Sequence, residues 1–256
     1  MNEREEHKEN MKEDIKEEKK EEKEEIKKEE IKETLEKNKI VEEEKKEKTE
    51  DKIEEKDLRE QDLLVPNEEY LKAGIHIGTK FKTSYMKKFI YKTRPDGLTV
   101  LDIQKIDERI KIAINMLSQY DPKDILLISR RENGWKPIKL MAKLLGTKVF
   151  AGRYPPGVMT NPSLKNFVEA KIMLVTDAWP DRNAITDALK IGTPVIALCD
   201  TNNQTNNIDF VVPCNNKGKK SLGLVFWALT KGIMEKKGLI NKGQAFDYSV
   251  DDFTEE

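Results

Sequence analysis

The chain is 256 residues long; charged and hydrophobic residues each make up 37% of it, and 47 Lys/Arg against 48 Asp/Glu leave a formal net charge of −1. No apolar stretch approaches the roughly 18 residues that span a bilayer, and no apolar core marks a secretory leader, which argues against a membrane-bound or exported protein. The two cysteines, Cys199 and Cys214, lack metal-ligand spacing and the chain has only two histidines, so free thiols in a reducing, cytoplasmic setting are expected, with no cofactor or metal site.

The near-zero charge hides a split by position. Residues 1–62 carry 18 Lys/Arg against 27 Asp/Glu, residues 63–246 carry 29 against 16, and the last ten residues add five acids and no base. Three segments follow: a low-complexity charged arm at 1–62, an α/β domain at 63–246, and an acidic C-terminal tail at 247–256. In the arm, Ile15, Ile26, Ile31 and Leu35 keep no period of 3.5 or 3.6, so no coiled-coil seam forms. Pairs such as Glu17 with Lys20 and Glu24 with Lys28 support a helix by only about 0.2–0.5 kcal/mol each, so the arm is either disordered or a solvated single helix. The excess of thirteen positive charges in the domain points to a polyanionic partner, RNA foremost.

From Gly97 onward, short apolar runs alternate with amphipathic stretches. A strand is expected at 98–101, then a helix at 105–119 with Ile106, Ile110, Ala113, Ile114 and Leu117 on one face. Strands at 125–129, 148–151, 172–177, 195–200 and 210–213 alternate with helices at 137–145 and 184–191, stopped by Gly146 and Gly192, and a last helix covers 220–237. The strands read as unbroken apolar runs, which suits a mostly parallel sheet buried on both faces in a Rossmann-like, three-layer αβα fold.

Ligands of such sheets bind beyond the carboxyl ends of the strands, where Ser129, Asp177 and Asp200 stand. Those residues could grip an ion or a ribose, but Ser and Asp cap helices and tie turns constantly, and that structural role is favoured. No glycine-rich phosphate loop follows the first strand. Residues 215–221 (NNKGKKS) only mimic a Walker loop, because Pro213 stands where its first glycine should be and an extra Lys precedes the Ser. His76, alone among the apolar neighbours of 73–78, reads as a packing residue. No catalytic residue is assigned.

The stretch 80–94 holds six basic residues and no acid in fifteen positions, interleaved with aromatics. Lys80, Lys82, Lys87, Lys88, Lys92 and Arg94 can neutralise phosphates, and Tyr91 can stack on a base, while Phe89 and Ile90 are expected to face the core. Arg130 and Arg131 follow the second strand, Arg153 the third, and Lys217, Lys219 and Lys220 precede the last helix. Loops after parallel strands share one sheet edge, so these charges should converge on a phosphate-binding face. The loop at 152–162, with three prolines, reads as stiff and exposed, suited to a fixed partner.

Six stretches fall in a specific order: 73–79 (AGIHIGT), 89–97 (FIYKTRPDG), 152–157 (GRYPPG) with 160–162 (TNP), 175–177 (VTD), 197–201 (ALCDT) and 215–218 (NNKG). Together they closely resemble the archaeal branch of the small-ribosomal-subunit protein two family, whose eukaryotic relatives include the laminin-receptor precursor. The resemblance covers about residues 63–240. It implies a flavodoxin-like domain without enzymatic activity, bound to small-subunit ribosomal RNA and neighbouring ribosomal proteins. It also implies no membrane, no small-molecule substrate and no independent homo-oligomer. Two features depart from the family pattern: the 1–62 arm lies outside it, and Ala178-Trp179-Pro180 follows Asp177 where a proline would directly follow the aspartate. The rival readings are a Rossmann-like enzyme using Asp177 and Asp200, and an adhesion module, which would require export.

Overall fold

The computed structural model describes residues 63–240 and 246–254; the charged arm at 1–62 lies outside the described residues. A short helix, α1 (Asn67–Ala73), follows Pro66, with Glu68 and Glu69 in its first turn and Lys72 in its last, the arrangement that suits the helix dipole. At seven residues it is too short to show a periodic apolar face, and the sequence did not announce it. A single 3-10 turn, Tyr85–Phe89, then leads into β1 (Ile90–Thr93), which pairs antiparallel with β2 (Thr99–Leu101). The strand expected at 98–101 therefore exists, but it belongs to a two-stranded hairpin and not to the main sheet. An apolar run reveals burial; it does not reveal which neighbour supplies the hydrogen bonds.

Helix α2 (Ile103–Ser118) begins at Asp102, whose carboxylate accepts the Gln104 amide at 3.1 Å, and buries the predicted stripe of Ile106, Ile110, Ala113, Ile114 and Leu117. There follow β3 (Ile125–Ser129), α3 (Trp135–Leu145), β4 (Lys148–Ala151), β5 (Ile172–Val175), α4 (Arg182–Ile191), β6 (Val195–Cys199), β7 (Phe210–Pro213) and α5 (Lys219–Lys236). Gly146 and Gly192 stop α3 and α4 with φ of 77° and 79°, a left-handed cap that glycine adopts without strain.

The five strands β3–β7 form one wholly parallel sheet in the order β4-β3-β5-β6-β7. This is the flavodoxin-like order, and it reverses direction between β3 and β5. Every residue of β3, β5 and β6 is buried, as sheet strands covered on both faces must be. Each large aliphatic side chain removed from water in this way contributes roughly 1.5–3 kcal/mol. Helices α2 and α3 both pack against α5, forming one layer. The β5-α4-β6 crossover runs the opposite way along the sheet from β3-α3-β4, so with right-handed connections α4 covers the other face.

No helix connects β4 to β5. The loop there, read from its prolines as exposed, instead buries Tyr154, Val158 and Met159 in the core. Its Gly157 amide donates to Asp187 of α4 at 2.8 Å, and the Tyr154 hydroxyl donates to the same oxygen at 3.4 Å. Burial and the Asp187 charge push the Tyr154 phenol up to about 12. The loop thus replaces a covering helix. Within the acidic tail, Phe253 is fully buried against α5, and Lys136 donates to the Thr254 carbonyl at 2.6 Å.

Candidate nucleic-acid interface

At the carboxyl ends of the strands, two buried aspartates are held by cations from neighbouring loops. Asp177, after β5, is 1% exposed and receives both Nε and Nη2 of Arg131 on Oδ2. Its Oδ1 accepts the Trp179 amide at 3.1 Å and the Asn203 side chain at 2.6 Å. Asp200, after β6, receives Lys217 Nζ at 3.0 Å on Oδ2 and its neighbour Thr201's amide at 2.6 Å on Oδ1. Asn203 Oδ1 in turn accepts the Asp200 amide at 3.0 Å and Asn216 Nδ2 at 3.3 Å. These carboxylates tie strand ends together, the structural role favoured from sequence. Among the described residues, no cluster of three or more His, Cys, Asp or Glu could hold a metal ion.

Asp181 differs. It is 2% exposed and accepts the Arg130 amide at 3.2 Å, while its Oδ1 has no partner among the described residues. Burial is the main cause that lifts its carboxyl from 3.8 to about 7, with the Arg130 amide pulling it back. Cys199 and Cys214 are buried free thiols, and burial pushes both far up, so neither is a nucleophile near neutral pH. His76 is buried, and its pKa is lowered by that burial and by the Arg94 charge, which keeps the ring neutral.

The basic segment is anchored to this same edge. Gly78 lies so close to the loop after β6 that a Cβ there would stand 2.6 Å from Thr201 Cγ2 and 2.7 Å from Thr99 Oγ1, so only glycine fits. The Thr79 amide donates to Thr201 Oγ1 at 3.0 Å, the Thr83 amide to the Thr201 carbonyl at 2.9 Å, and the Thr83 hydroxyl to the Asn203 carbonyl at 3.0 Å. From that anchor Lys80, Lys82, Lys87, Lys88, Lys92 and Arg94 all reach solvent. Met86 and Phe89 turn inward; Ile90, expected to be buried, is half-buried. Lys88 Nζ sits 3.7 Å above the Tyr85 ring, and Tyr91 is 71% exposed.

The remaining predicted cations divide. Arg130, Arg153, Lys219 and Lys220 are exposed at the carboxyl edge, whereas Arg131 and Lys217 are half-buried and neutralised by Asp177 and Asp200. The loops after β3 and β7 do meet, because Asn133 Nδ2 donates to the Lys217 carbonyl at 2.7 Å. Sequence reasoning missed a cavity of about 500 Å³ at this edge, whose lining includes Phe81, Trp179, Arg131 and Arg182. Two signals bore on it: the Asp177-Ala178-Trp179 departure, and the amide-rich run 202–207 (NNQTNN).

The chain matches the family described as Ribosomal protein S2 over residues 70–170 and 164–236. It is 44% identical over 194 residues to the small ribosomal subunit protein uS2 of Thermoplasma volcanium, covering 76% of this chain and 98% of that relative. The uS2 protein of Nanoarchaeum equitans is 47% identical over 192 residues, covering 75% and 96% respectively. That of Ignicoccus hospitalis is 47% identical over 181 residues, covering 70% of this chain and 85% of the relative.

Proposed function

The chain belongs to the ribosomal protein S2 family, and from that premise we propose that it is a structural constituent of the small ribosomal subunit, acting in translation and subunit assembly in the cytoplasm. Its work is binding small-subunit ribosomal RNA and neighbouring ribosomal proteins, not bond chemistry. Residues 63–246 form the RNA-binding body, preceded by the arm at 1–62, and the acidic segment 247–256 packs onto that body through Phe253.

The observation that carries the RNA reading is the segment 80–94, whose six cations are exposed with no acid among them. Such charges release counterions from phosphates, a sequence-independent contribution that falls steeply with salt. Lys80, Lys82, Lys87, Lys88, Lys92 and Arg94 supply it, joined by Arg130, Arg153, Lys219 and Lys220, with Tyr91 offering a stacking face. Arg131 and Lys217 hold the loops in place and contribute less net charge. Sedimentation of a native extract through a sucrose gradient tests the class: co-migration with the small subunit is expected. Recovery only as free protein at the top of the gradient would overturn it.

A further inference from the structure

We propose that the cavity bounded by Phe81 and Trp179 receives an unpaired base from a single-stranded or bulged segment of RNA; this rests on the RNA reading above. A lone exposed aromatic is ordinary on a protein surface, but here two, each 80% exposed, wall one cavity. The volume of about 500 Å³ lies within the range of small-ligand sites. Its place is also telling, since Arg131, Asp177 and Trp179 stand where the strand order reverses between β3 and β5.

The chemistry of the lining fits a nucleotide better than an apolar or cationic group. Indole and phenyl faces stack on any base, which is the recurring device for single-stranded RNA. Gln204, Asn206 and Asn207 present side-chain amides with no hydrogen-bond partner among the described residues, and each amide can both donate to and accept from a base edge. Arg182 is exposed at the rim, where it can meet the phosphate of the bound nucleotide. The carboxylate in the lining, Asp177, is already bonded to Arg131, Asn203 and the Trp179 amide, so it does not repel an anion as a bare carboxylate would. A continuous duplex cannot place a stacked base there without flipping it out.

The test titrates the full-length chain with short oligoadenylate, with a blunt duplex and with free adenosine monophosphate, for the parent and for Trp179→Ala, Phe81→Ala and Trp179→Phe. Both alanine sites are exposed, and Phe81→Ala serves should Trp179→Ala fold poorly. Each alanine variant is expected to weaken single-strand binding roughly 5- to 150-fold, the value of one base–aromatic stack. Duplex affinity should stay unchanged and Trp179→Phe should recover most of the loss. Single-strand binding unaltered in both alanine variants overturns the cavity assignment while leaving the RNA reading standing. Free nucleotide bound as tightly as the oligonucleotide overturns it in favour of a mononucleotide site. Failure of the parent to bind either RNA at low salt overturns the RNA reading, and the cavity assignment with it.

Discussion

The carboxyl edge of the sheet and the basic segment 80–94 are both rich in cations, yet the edge turns two of its own inward while the segment leaves all six exposed. At the edge, Arg131 and Lys217 turn inward onto Asp177 and Asp200, which are each 1% exposed. In the segment, Lys80, Lys82, Lys87, Lys88, Lys92 and Arg94 reach solvent. A buried carboxylate needs a partner or it must be protonated, so the nearest flexible cation is drawn to it. A surface lysine has no such demand on it and remains available to a phosphate. A cation beside a buried strand-end carboxylate is therefore a weaker candidate for a phosphate contact than one in an acid-free stretch.

Breaking the edge should cost stability first. Arg131→Ala strips Asp177 of its cation, although Asn203 and the Trp179 amide still donate to it. Removing one partner of a buried pair is strongly destabilising, and about 3 kcal/mol is expected here, read from the urea midpoint. A loss below about 1 kcal/mol would mean that the pair is decorative and the contrast between the two regions false. Asp181 sharpens the same rule, because it is a buried edge carboxylate without a cation partner and its pKa rises to about 7. The folded state keeps this proton between about pH 4 and 7, where the unfolded chain has lost it. The stabilisation is therefore full at low pH and disappears as pH rises through 7. Between pH 5 and 8 the wild-type protein should lose on the order of 2–3 kcal/mol through this group, and Asp181→Asn should flatten that part of the profile. An identical pH profile in the two proteins would show that Asp181 titrates normally.

Lys217→Ala is a milder break. Its side chain is 36% exposed, so solvent already screens the pair with Asp200, and Thr201 continues to donate to the other oxygen. We expect about 2 kcal/mol of lost stability, with the loop carrying Asn202 loosened, since Lys217 also holds that side chain at 3.3 Å. Lys217→Arg should restore most of it in the same urea titration. If the arginine variant were no more stable than the alanine variant, a packing role of the lysine stem would replace the ionic one.

Much of the scaffold was readable from the chain alone. The strands at 125–129, 148–151 and 210–213 occupy the expected residues, since short apolar runs bounded by turn residues leave little freedom of placement. Gly146 and Gly192 announced two helix ends because left-handed caps select glycine. What escaped is what depends on distant partners. Arg131 and Asp177 lie 46 residues apart, and nothing local distinguishes an arginine that will be neutralised from one that will face solvent. The 152–162 loop was misread for a related reason: prolines report stiffness, whereas the burial of Tyr154, Val158 and Met159 is decided by the missing helix on that face. Phe81 and Trp179 line one cavity through distant ties, the threonines that pin 79–83 to the loop after β6 and the Trp179 amide bond to Asp177.

The smallest effect on the free-energy scale discriminates best between the two regions. Replacing Lys82, Lys87, Lys88 and Lys92 together with alanine removes four exposed cations, none of which is paired with a carboxylate among the described residues. Lys88 does lie over the Tyr85 ring, with Phe89 farther off, and Lys92 lies 5.8 Å from the Tyr91 ring; these exposed contacts sit at the low end of roughly 0.5–1 kcal/mol each, so stability should fall by about 1 kcal/mol. RNA affinity should fall about tenfold at moderate salt, and the slope of log affinity against log salt should flatten by roughly 0.7 for each single-strand phosphate that is no longer neutralised. The Arg131→Ala protein, where it remains folded, should keep a slope close to the parent's, because its guanidinium was already neutralised. A quadruple variant whose salt slope matches the parent's, alongside an Arg131→Ala slope that flattens, would invert the assignment and place the phosphate-binding charge at the strand ends.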